Sequence, residues 1–158
     1  SLVRFPQGSP LALLDSDNVV WPAWKNQEAL YQFRGYQLDS KGVPTFLYRF
    51  AQWQIEERIE PLERRGLRRQ WKIQRVENEA AKAMDESGVL NVCIHQAKKL
   101  DRQTTTQVNG GGVQAQLAVV RGQDNGSGNR IIKTQESERW VVPLDGNDQQ
   151  MVVVEYVW

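Results

Sequence analysis

The chain has 158 residues, 20 of them basic and 19 acidic, for a formal charge of +1; this is the size of one domain, able to bury roughly two-thirds of its unfolded surface. The balance removes the surplus of Lys and Arg on which binding to nucleic acid or to an anionic membrane surface draws. No apolar run approaches the roughly 20 residues that span a bilayer, and "SLVRFPQGSP" lacks the parts of a signal peptide, which leaves a cytoplasmic protein, a mature secreted form or an excised domain.

Period-two alternation dominates the chain order. The segment before Leu30, "LALLDSDNVVWPAWKNQEA", predicts one short strand and a Pro-containing loop that packs Trp21 or Trp24 against a sheet. "LYQFRGYQL" (Leu30–Leu38) and "PTFLYRF" (Pro44–Phe50) are aromatic and alternate with polar residues, as half-buried strands do. Asp39, Ser40 and Gly42 between them are turn formers. After Phe50 the apolar positions switch from even to odd numbers. A two-residue turn at Ala51-Gln52 accounts for the switch, setting Phe50 opposite Trp53 and Tyr48 opposite Ile55 on one face. Gly35 then reads as a bulge or a point of close packing, and Pro44 as the first residue of its strand.

Further strands are predicted at Leu67–Val76, Val89–Ala97, Val113–Gly122, Arg130–Gln135, Arg139–Leu144 and Gln150–Trp158, separated by "NGGG", "GQDNGSGN" and "DGND". Only Glu77–Ser87 has a helical composition, enough for two or three turns, and it reads equally as an exposed loop. The pattern predicts a single all-β domain over residues 1–158. Its fold class is an antiparallel β-sandwich, or a closely related barrel, of about eight to ten strands with at most one short helix.

Few residues carry chemistry. The lone Cys93 excludes an internal disulfide, a thiolate zinc site and a Cys-x-x-Cys-His haem attachment, and reads as a small buried hydrophobe. His95 is the single histidine and stands without a nucleophile elbow, so it reads as a satisfied or solvent-facing side chain. Glu56, Glu57, Glu60 and Glu63 lie close to Arg58, Arg64, Arg65, Arg68 and Arg69, where mutual salt bridging on a solvated face accounts for them. "NGGG" lacks the Lys and the helix of a phosphate loop and predicts a hairpin turn. The oxygen-rich Asp15–Asn18 and Asp145–Asp148 fail the EF-hand spacing and read as turns. No catalytic residue, metal ligand or cofactor is assigned. Of the six tryptophans, Trp53, Trp71, Trp140 and Trp158 fall at core positions of strands. Trp21 and Trp24 sit where a loop could expose them.

The stretch "FRGYQLDSKGVPTFLYRF", with Tyr31, Phe33, Gly35, Tyr36, Leu38, Asp39, Pro44, Thr45, Phe46 and Tyr48, closely resembles a segment of large secreted proteins of planctomycetes and related bacteria. Those proteins join sorbosone-dehydrogenase-like or pyrroloquinoline-quinone-type β-propellers, or c-type cytochrome modules, to β-rich accessory domains. The resemblance covers about Gly8 to Ile59, with similar flanks in "GSPLALLDSDNVVWP" and "VVVEYVW". It implies an extracytoplasmic (periplasmic or secreted) setting beside redox modules that this chain does not itself contain, and it supplies no catalytic residue.

The expected role is therefore a non-catalytic accessory domain that packs against a neighbouring domain or a protein partner. The alternative is a carbohydrate-binding module using Trp21, Trp24, Tyr31 and Tyr36. Third comes a glycoside-acting enzyme using Glu56, Glu57 and His95.

Overall fold

The computed structural model describes residues 10–14, 20–76, 88–121, 128–144 and 149–158. The helical composition at Glu77–Ser87 and the oxygen-rich turns at Asp15–Asn18 and Asp145–Asp148 lie outside the described residues. The strands are β1 (Leu11–Leu14), β2 (Tyr31–Leu38), β3 (Pro44–Phe50), β4 (Trp53–Pro61), β5 (Gly66–Arg75), β6 (Val89–Ala97), β7 (Asp101–Thr104), β8 (Gln107–Gly110), β9 (Val113–Arg121), β10 (Arg130–Lys133), β11 (Glu138–Pro143) and β12 (Gln149–Val157). Helix among these residues is limited to two single 3₁₀ turns, Trp24–Asn26 and Glu28–Leu30.

All pairings are antiparallel and build two sheets that pack into a sandwich: a small one, β1-β6-β11-β10, and a large one, β2-β3-β4-β5-β12-β9-β8-β7. The sandwich stands as expected, with twelve strands among the described residues rather than eight to ten. The two additions, β7 and β8, form a hairpin whose first strand is polar and exposed throughout, so it carries no alternation to read. In "NGGG", Asn109 and Gly110 end β8, and Gly111-Gly112 turn into β9 with Gly110 opposite Val113. Both turn residues have positive φ, +62° and +76°, which the paired turn of a two-residue hairpin requires and glycine supplies without strain.

The core lies between the sheets. Leu11, Leu90, Val92, Ile94, Trp140 and Val142 of the small sheet meet Phe50, Trp53, Ile55, Trp71, Ile73, Val152, Val154 and Tyr156 of the large one. The small sheet is buried on its other face as well, where Ala12, Leu14, Cys93, Val141 and Ile132 pack with Trp21. Four strands cannot cover eight. The outer end of the large sheet, β2 with the first residues of β3, is more exposed than the rest of that face, and this overhang positions the candidate site.

Candidate functional site

Side chains directly opposite in an antiparallel pair project to the same face. Phe50 pairs with Trp53 and Tyr48 with Ile55, so the core face of the large sheet continues through β3. On β2, Tyr31 pairs with Phe50 and Phe33 with Tyr48; the register then skips Arg34, and Gly35 pairs with Leu47, Tyr36 with Phe46 and Leu38 with Pro44. The skipped residue is a β-bulge beside Gly35, whose φ of +123° lies where L side chains are strained. Without that extra residue, Tyr36 and Leu38 would point to the opposite face. With it, Tyr31, Phe33, Tyr36 and Leu38 form one continuous row on the core face.

The row runs out from the core. Tyr48 and Phe50 are buried, Tyr31 and Phe46 are half-buried, and Phe33, Tyr36 and Leu38 are 55%, 61% and 59% exposed. Tyr31 packs on Tyr48 with ring centroids 5.2 Å apart, and Tyr36 on Phe46 at 6.4 Å. The aromatic stretch Phe33–Phe50 therefore divides: its β3 rings are largely core, and its β2 rings are largely surface.

Beside this row, on the same face, sits a buried polar cluster. The Tyr48 hydroxyl donates to Glu57 Oε2 at 2.8 Å, and Arg69 Nε donates to Glu57 Oε1. The Arg69 guanidinium lies 4.5 Å above the Trp71 ring, a cation–π contact inside the core. Burial, reinforced by the Glu57 charge, raises the Tyr48 and Tyr31 hydroxyls above the usual phenol range. The reading of these glutamates as a solvated salt-bridge face holds for Glu60, which meets Arg58 and Arg68 at 3.4 Å each. It is corrected for Glu57 and Arg69, which are each 6% exposed. The correction follows from the register: Glu57 stands opposite Phe46 and Trp71, on the core face.

Glu56 is the next residue on β4 and projects to the other face, so Glu56 and Glu57 do not converge as a carboxylate pair. Glu56 instead lines a shallow groove of about 360 Å³ on the outer face, together with Gln54, Lys72, Gln74, Gln149 and Met151. His95 is buried on the small sheet; its Nε2–H donates to the Gly110 carbonyl at 3.0 Å, and burial lowers its pKa. Cys93 is buried beside it, its thiol pushed up to about 12 by burial. Among the described residues no cluster of three or more His, Cys, Asp or Glu side chains is placed to hold a metal ion.

Of the sugar-binding candidates, Trp21 is 7% exposed and packs in the outer cluster of the small sheet, with the Arg139 guanidinium 5.5 Å from its ring. Trp24 opens the first 3₁₀ turn, and its side chain lies outside the described residues. Tyr31 is half-buried against Tyr48, and Tyr36 is open. Phe33 and Leu38 complete the exposed row and are not among the binding candidates of the sequence, where they carry only the resemblance. Their signal is the change of phase at Gly35, where 31 and 33 give way to 36 and 38.

Among the described residues no helix is long and apolar enough to cross a membrane. Compared with protein-family models, curated proteins and solved structures, the chain matches none.

Proposed function

We propose that this chain is a non-catalytic interaction module, docking a neighbouring domain or a protein partner on the overhanging end of its large sheet. The observation that carries the reading is the row Phe33, Tyr36 and Leu38, three large apolar side chains exposed side by side on a face that elsewhere forms the core. Single exposed apolar residues are ordinary, whereas a contiguous row marks an interaction site. Phe33 and Leu38 offer no hydrogen-bonding group, which suits a protein surface better than a sugar. Of the groups that nucleophilic or acid–base chemistry would use, Glu57 is engaged by Arg69 and Tyr48, His95 by Gly110 and Cys93 by burial, and Glu56 stands on the opposite face of the sheet from all three. The resemblance of Phe33–Phe50 to secreted planctomycete-type proteins supports an extracytoplasmic setting beside redox modules.

The test is limited proteolysis of the intact gene product carrying Phe33→Ala/Tyr36→Ala. Loss of protection at the junction with its neighbour, or of co-purification with its partner, is the expected result. Unchanged digestion and unchanged co-purification would sink the reading.

A further inference from the structure

Among the described residues the two sheets have four edges, and three are short. β1, β10 and β7 have four residues each, whereas β2 has eight. Short edge strands are one of the standard protections against pairing with another chain, and β2 lacks that protection. In an antiparallel pair, residues alternate between turning their N–H and C=O toward the partner strand and turning them away. At one end of the β2–β3 hairpin Asp39 N–H donates to the Val43 carbonyl, and at the other Ala51 N–H donates to the Leu30 carbonyl. Counting inward from both ends, Phe33, Tyr36 and Leu38 fall at positions that turn N–H and C=O to the open edge. The same three residues carry the exposed apolar side chains. Backbone donors, acceptors and hydrophobic surface are thus presented together along one strand.

We infer that a partner adds an extended segment to the β2 edge, continuing the large sheet. This rests on the docking reading above and specifies its form. The bulge at Arg34 divides the edge, so the added strand is anchored mainly along Tyr36–Leu38 and reaches Phe33 past the irregularity. The occupant's chemistry follows from the edge. Apolar residues at alternate positions continue the row of Phe33, Tyr36 and Leu38. A carboxylate answers Arg34 and Arg49, the two cations of strands β2 and β3, neither of which has an acidic partner among the described residues. A second copy of the chain fits poorly. Antiparallel self-pairing over Tyr31–Leu38 puts its dyad between Arg34 and Gly35, which brings the two Arg34 side chains into neighbouring positions.

The probe is a synthetic ten-residue peptide alternating valine with threonine and carrying one central glutamate, titrated into the chain while amide exchange is followed by NMR. Strand addition slows exchange of the Phe33, Tyr36 and Leu38 amides at least tenfold and leaves β7 unchanged. Leu38→Pro, which removes an edge-facing N–H, abolishes that protection, whereas Leu38→Ala only weakens it. Retained protection in Leu38→Pro, or saturable binding without slowed exchange at these three amides, overturns strand addition and leaves side-chain docking standing. No binding by the peptide, with Phe33→Ala/Tyr36→Ala still releasing the partner in the intact gene product, likewise overturns strand addition alone. A dimer of the free chain that protects the same amides replaces the partner strand with a second copy and overturns the choice of occupant.

Discussion

Glu57 and Arg69 form an ion pair inside the sandwich, each almost wholly buried, with Tyr48 closing the remaining carboxylate oxygen. Glu57 stands opposite Trp71 and Arg69 opposite Ile59, so the pair crosses from β4 to β5 on the diagonal. Two charges taken from water lose several kcal/mol of hydration each, which their attraction only roughly offsets, so removing one partner is far worse than removing both. Glu57→Gln is expected to cost about 3–5 kcal/mol. The double variant Glu57→Leu/Arg69→Met should recover most of that loss. Urea unfolding midpoints of the three proteins decide it, and equal losses in single and double variants would contradict the buried-pair account.

The overhang makes a prediction about which rings hold the fold together. Phe50→Ala, at a fully buried site, should cost about 3–5 kcal/mol. Tyr36→Ala, on the same face but exposed, should stay within about 1 kcal/mol. Thermal unfolding of both proteins tests it; comparable losses would mean that the β2 end is covered.

Gly35→Ala isolates the bulge. A Cβ at this position meets nothing within 4 Å, so its cost is conformational, set by a φ of +123°. A loss of about 1–3 kcal/mol is expected. Gly66→Ala should also destabilise, by a different route, since its Cβ would collide with the Tyr156 carbonyl oxygen. Denaturant midpoints check both, and a neutral Gly35→Ala would remove the strained bulge from the account.

Cys93 should be silent toward thiol reagents. Burial lifts its pKa to about 12, against a partial opposing pull from Arg139. At pH 8 almost no thiolate is present, and reagents have no path to the sulfur. A chromogenic disulfide reagent should therefore release no chromophore from the native chain and one equivalent after denaturation in urea. Rapid labelling of the folded protein would contradict the burial.

His95 gives the stability a pH dependence. Burial lowers its folded pKa below 6.5, with the Gly110 carbonyl opposing the shift. The unfolded chain therefore binds the proton first as pH falls through about 6.5, and the slope of stability with pH is positive in that window. Stability should be level near pH 7.5 and decline toward pH 5.5, above the range where exposed carboxylates titrate. In His95→Gln the decline should be largely absent. An unchanged slope in the variant would assign it to other groups.

The hairpin register, with Phe50 opposite Trp53 and Tyr48 opposite Ile55, was legible because it depends on neighbours in sequence and on a two-residue turn. The same holds for the Gly35 bulge, the start of β3 at Pro44 and the Gly111-Gly112 turn. The polar β7–β8 hairpin escaped because it has no alternation. The packing of Trp21 against a sheet was legible as one of two expectations for its loop. The burial of Glu57 and Arg69, and the exposure of Phe33, Tyr36 and Leu38, belonged to a different level.

Period-two pattern determined, from the chain alone, that this protein is all-β and, for the apolar residues of the alternating strands, which of them share a face. It could not determine whether that face is covered. Coverage depends on pairing a four-stranded sheet with an eight-stranded one, through contacts between residues far apart in sequence. Tyr36 and Phe50 carry the same local signal on the same face, yet one is surface and the other core. Only the tertiary packing decided which, because hydrophobic burial is a property of the second sheet's position rather than of the strand.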